Sequence, residues 1–120
     1  MASAKQYLND WLRWRSGRQG TGYEKLLLLA NPFILPFDCY LLRYRKGAEI
    51  PEHTDPVTDK KHYRLNVVLK HARDGGEFVC SDPIFENGRI KIFRPDQSPH
   101  RVTRVNDGTR YVFSLGWVRR

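Results

Sequence analysis

The segment Glu52-His53-Thr54-Asp55 sets an imidazole and a carboxylate two residues apart at the mouth of an extended stretch, so both side chains can leave the same face. Both ligate a divalent metal at neutral pH with no thiol needed. A third ligand of the same kind, His100, stands in Ser98-Pro99-His100-Arg101-Val102, immediately before another extended segment. Two imidazoles and one carboxylate on one face make the facial triad of non-haem Fe(II) chemistry, which leaves three coordination positions open. His-x-Asp alone is a weak signal, short enough to arise by chance, and His62 and His71 are further imidazoles. The position of a downstream arginine strengthens it. Ten residues after His100 comes Arg110, whose planar fork suits a carboxylate such as the far end of a small diacid. The competing reading of Arg110 is a solvent-facing charge on a polar edge strand.

These residues need a rigid frame, and the chain is long enough for one. Its 120 residues make a single domain, 1–120, with 40% hydrophobic and 12% aromatic residues, enough to bury a core. Ala4, Tyr7, Leu8 and Trp11 recur at helical spacing, which predicts an amphipathic helix over about 4–15, ended by Ser16-Gly17. From there the pattern turns extended. Strands are expected at 25–30, 38–44, 50–53, 63–70, 77–80, 89–93, 101–105 and 110–118, with breakers between them. Asn87-Gly88 and Asp107-Gly108 read as hairpin turns, the second joining 101–105 to 110–118. About eight close-spaced strands over a core of about 25–118 indicate a mainly β sandwich, barrel or jelly roll.

The last strand is the most informative. Tyr111, Phe113, Leu115 and Trp117 form one face, which is expected to fill a core against the N-terminal helix. Arg110, Val112, Ser114 and Gly116 form the other, which suits a barrel interior that must hold a small anion instead of side chains.

A net charge of +8 draws anions of any kind, and spread along the chain it reads equally well as a solvated basic surface. Cys39 and Cys80 form no CxxC pair and read as reduced thiols. The longest apolar run, Leu26 to Ala30, is far short of a membrane span, and the polar start has no secretory h-region. A cytoplasmic protein without a membrane partner is expected.

Taken together, residues 38–118 resemble the Fe(II)/2-oxoglutarate-dependent dioxygenases. The stretch from His100 to Arg110-Tyr111 is similar to the prolyl 4-hydroxylase branch, and Tyr63 to Leu69 with Gly75-Gly76-Glu77 to the aspartyl/asparaginyl hydroxylase branch. The resemblance implies a double-stranded β-helix, a squashed eight-stranded jelly roll, with the helix on its outer sheet. It implies that His53, Asp55 and His100 hold Fe(II) and that Arg110 binds the distal carboxylate of 2-oxoglutarate. Tyr44 matches a strand tyrosine that helps hold this cosubstrate. Arg64 and Asn66 sit where the aspartyl hydroxylase branch touches it, their alternative being outward polar partners of an amphipathic strand. Many relatives carry a serine two residues after the arginine, where this chain has Val112.

The implied reaction consumes 2-oxoglutarate and O2, releases succinate and CO2, and hydroxylates a C–H bond. No general base is required, so Glu49 and Glu52 receive no catalytic role. A peptide or protein side chain is the first expectation for the substrate. Oxidation or demethylation of a nucleobase is the second, because Trp11, Trp14, Tyr7 and Tyr23 offer stacking surfaces. A non-catalytic β-helix binding module is the third.

Overall fold

The computed structural model describes residues 5, 8–9, 11–17, 21–31 and 36–119. Strands dominate them: β1 (Trp14–Ser16), β2 (Tyr23–Asn31), β3 (Phe37–Tyr44), β4 (Ile50–His53), β5 (Lys61–Lys70), β6 (Asp74–Gly75), β7 (Phe78–Cys80), β8 (Phe85–Glu86), β9 (Ile90–Phe93), β10 (His100–Val102), β11 (Val105–Asp107) and β12 (Arg110–Arg119). One sheet runs β1-β2-β3-β12-β5-β9-β8, a second β4-β10-β7 and a third β11-β6, all pairings antiparallel. The two small sheets close over the large one. Tyr44, Val68 and Val112 from the large sheet meet Ala48, Ile50, Val102 and Val105 from the other side in one buried cluster. This is a jelly roll, one of the architectures that the strand count and spacing allow and the one the resemblance implies, with the shortest strands added.

The inward face of β12 is the small one. Arg110, Val112, Ser114, Gly116 and Val118 are buried, while Tyr111, Phe113, Leu115 and Trp117 are half-buried on the outer face. The bulky face therefore does not fill the core, contrary to expectation. The small residues Val112, Ser114 and Gly116 leave room inside the barrel for larger groups contributed by neighbouring strands. Outside, Trp117 stacks on Tyr63 at 5.7 Å, and Arg94 lies over Tyr63 at 5.5 Å.

Two further expectations are corrected. The turn at Asp107-Gly108 does not fold 101–105 onto β12. Instead β10 pairs with β4 and β7, β11 pairs with β6, and β12 lies between β3 and β5. Gly108 (φ 81) is required by a close crossing, since a Cβ there would meet the Arg73 backbone nitrogen at 2.8 Å. The helix expected over 4–15 lies partly outside the described residues. Lys5, Leu8 and Asn9 have helical backbone, but Trp11 bridges to Leu27, Leu12 takes a positive φ of 53, and Trp14–Ser16 pair with Glu24–Leu26. Leu8, Trp11 and Leu12 are more than half exposed, so they form no packed helical face. Pairing with the long β2 has overridden a helical sequence pattern.

No helix of the described residues is long and apolar enough to cross a membrane.

Candidate metal centre

His53 ends β4 and His100 begins β10, and the two are direct cross-strand partners, with ring centroids 4.4 Å apart. Asp55 lies two residues beyond His53, where its backbone N–H donates to the Pro95 carbonyl at 2.7 Å. The carboxylate thereby faces both rings. Asp55 Oδ1 stands 3.6 Å from His53 Nε2, and Asp55 Oδ2 stands 3.5 Å from His100 Nε2. One ligand atom from each residue lies within 4.8 Å of the others. Two donors about 2.1 Å from one ion stand about 3.0 to 3.4 Å apart, so each Asp55–imidazole spacing is within a few tenths of an ångström of that separation.

The ring orientation agrees with the distances. His53 Nδ1 faces the Pro51 carbonyl at 2.8 Å and His100 Nδ1 faces the Ser98 carbonyl at 2.9 Å. A carbonyl can only accept, so each Nδ1 carries the proton and each Nε2 keeps its lone pair for a metal. Phe93 and Phe78 pack on the His100 ring at 5.1 and 6.0 Å. Ser98 is fixed in turn, its hydroxyl accepting from Asp82 N–H at 2.9 Å and lying 3.0 Å from Cys80 Sγ. The donor set fits an Fe(II) ion. His71 stands apart, on a second cavity.

The triad opens into a cavity of about 280 Å³ that is also lined by Tyr44, Arg64, Asn66 and Ser114. Arg64 and Asn66 therefore face inward. Arg64 Nη2 pairs with Asp38 Oδ1 at 2.7 Å, Arg64 Nη1 donates to Ser114 Oγ at 2.7 Å, and Ser114 Oγ donates to Asn66 Oδ1 at 2.6 Å. Gly116 makes the reach possible, since a Cβ there would collide with the Arg64 guanidinium. Sequence reasoning missed Asp38 and the Ser114 contact, although Ser114 shares the inward face of β12 with Arg110. His62 lines the same cavity, and burial holds its imidazole down to about 4.

Arg110 is placed differently. It is 3% exposed, begins β12 opposite Tyr44, and lies with its guanidinium carbon 5.1 Å from the Tyr44 ring, donating to the Tyr44 hydroxyl. It does not line the triad's cavity. Its side chain borders the second cavity, with Phe78 shared between the two. Desolvation pulls its pKa down, and burial pushes the Tyr44 phenol up. Among the described residues no carboxylate pairs with Arg110, an unusual state for a buried charge.

Residues 39–119 match the family described as the 2OG-Fe(II) oxygenase superfamily. No curated protein matches the chain. Among solved structures it is similar to a Pseudomonas putida prolyl-4-hydroxylase, with TM-score 0.66 and 17% identity over 89% of this chain and 77% of the other. The viral collagen prolyl hydroxylase of Paramecium Bursaria Chlorella virus-1, solved as its 2OG complex, gives 0.59 and 17% over 85% and 83%. KdgF from Halomonas sp. gives 0.61 and 14% over 90% and 87%. At these identities the structural likenesses establish the fold.

Proposed function

Given that the chain belongs to the 2OG-Fe(II) oxygenase superfamily, we propose that it is an Fe(II)/2-oxoglutarate-dependent dioxygenase that hydroxylates a peptide or protein side chain. The observation that carries this reading is the triad, complete and correctly oriented at one end of the barrel. His53, Asp55 and His100 would hold the metal. With 2-oxoglutarate and O2, the bound iron supplies the oxidising equivalent that turns a C–H bond into C–OH as succinate and CO2 form.

The chain's own residues supply position and polarity. Pro51 and Ser98 carbonyls fix both imidazole tautomers, so neither histidine must move a proton to ligate. Phe93 and Phe78 exclude water from the buried side of His100. Tyr44 lines the cavity and accepts from Arg110, whose uncompensated charge would reach the distal carboxylate of the cosubstrate through that hydroxyl. Arg64 is less suited to that role because Asp38 already neutralises it, so with Asn66 and Ser114 it shapes the wall along the cosubstrate.

The test is 2-oxoglutarate turnover with Fe(II) and ascorbate, with and without mixed peptide pools. Succinate formation that peptides stimulate and Asp55→Ala abolishes is the expected result. Iron and 2-oxoglutarate binding without turnover on any pool would turn the reading toward a binding module.

A further inference from the structure

The β2 wall of the cavity carries a charge that the proposed reaction does not use. Lys25 lies opposite Leu42 of β3, two residues along from Tyr23 opposite Tyr44, so it shares the inward face of the sheet. It lines the same cavity as the triad. Its ammonium sits 5.1 Å from the centre of the Tyr40 ring. The cavity's carboxylates are engaged elsewhere, Asp38 with Arg64 at 2.7 Å and Asp55 in the triad. An aromatic face aims an ammonium without neutralising it. Lys25 thus presents an available positive charge to whatever enters.

We propose that Lys25, backed by Tyr40, selects the substrate by binding a carboxylate of an acidic peptide and holding the adjoining residue against the triad. The inference rests on the hydroxylase reading above. One half-buried ammonium in a cavity of about 280 Å³ suits a single carboxylate, whereas a nucleic acid needs a line of cations that follows successive phosphates. The net charge of +8 favours the approach of an acidic peptide.

The experiment uses the full chain loaded anaerobically with Mn(II) and 2-oxoglutarate, whose affinities are first measured without peptide. Fluorescence anisotropy then compares labelled peptide pools that differ only in Glu against Gln. The Glu pool should bind roughly tenfold more tightly, Lys25→Met should erase the difference, and Lys25→Glu should reverse it toward Lys-bearing peptides. Mn(II) and 2-oxoglutarate affinities should stay unchanged in both variants. Equal binding of the two pools, or a Glu preference that survives Lys25→Met, overturns the proposal while leaving the hydroxylase reading intact. Lys25-dependent displacement of peptide by a single-stranded oligonucleotide overturns it in favour of phosphate. Failure of Mn(II) and 2-oxoglutarate to bind overturns the hydroxylase reading, and with it this one.

Discussion

The interior of the barrel divides into two unlike regions. Around the triad it is polar, with Asp38, Arg64, Asn66 and Ser114 joined by short hydrogen bonds. Around Val105 it is apolar, with Ala48, Ile50, Val68, Val102 and Val112 packed together. The polar region is tolerable because it is satisfied: among the described residues no buried side-chain nitrogen or oxygen lacks a partner. The apolar region supplies most of the apolar burial that stabilises the fold, and the polar region holds the candidate site. Arg110 and Tyr44 are the exceptions, a polar pair inserted at the margin of the apolar cluster.

Metal binding separates the regions most sharply. Asp55 has a side chain that is 44% exposed and no place in the core, so Asp55→Ala should weaken Mn(II) binding by more than about a hundredfold in calorimetry. The melting temperature of the metal-free protein should hardly move. A large drop would show that the carboxylate also stabilises the fold.

The two arginines provide the next contrast. Arg110→Met should weaken 2-oxoglutarate binding by roughly tenfold to a hundredfold, because a charge-assisted contact is worth about 1.5 to 3 kcal/mol. Arg64→Met should instead lower the melting temperature, since it leaves the buried Asp38 without its partner. If titration calorimetry finds the larger loss of cosubstrate in Arg64→Met, the assignment of the two is inverted.

Truncation in the apolar region should show the opposite signature. Val112 is 1% exposed, and Val112→Ala should cost about 2 kcal/mol in chemical denaturation with Mn(II) affinity retained.

The smallest effect concerns pH. His62 titrates near 4 when folded against about 6.5 when unfolded, so the unfolded chain binds more protons between those values. Stability contributed by burying the neutral imidazole is complete above pH 6.5 and is lost as pH falls toward 4. His62→Gln should flatten that part of a melting-temperature profile, and a profile identical to wild type would show that His62 is solvated.

The sequence made the triad legible because His-x-Asp and a distant histidine keep their meaning wherever the strands run. It also identified the inward face of β12, since a two-residue alternation of small against bulky side chains survives any register. The outer, bulky face lacks the expected helical cover because alternation separates two faces without saying what packs on each, and Leu8, Trp11 and Leu12 are more than half exposed. The 101–105 hairpin failed for a related reason: Asp107-Gly108 has local turn chemistry, while the crossing from β10 to β11 and on to β12 is set by the closure of three sheets. At the N-terminus, β1 is three residues long, too short to display a period against the helical spacing of Tyr7, Leu8 and Trp11.

Trp11 bears on solubility. β2 is nine residues long and, among the described residues, β1 pairs with three of them, which would leave much of its outer edge as a template for another chain. Leu12 N–H donates to the Leu27 carbonyl at 3.0 Å and the Trp11 indole N–H to the Leu28 carbonyl at 3.2 Å, which occupies acceptors that an incoming strand would need. The indole acts as a stopper on an otherwise adhesive edge. Its 55% exposure accompanies that cover over part of the edge.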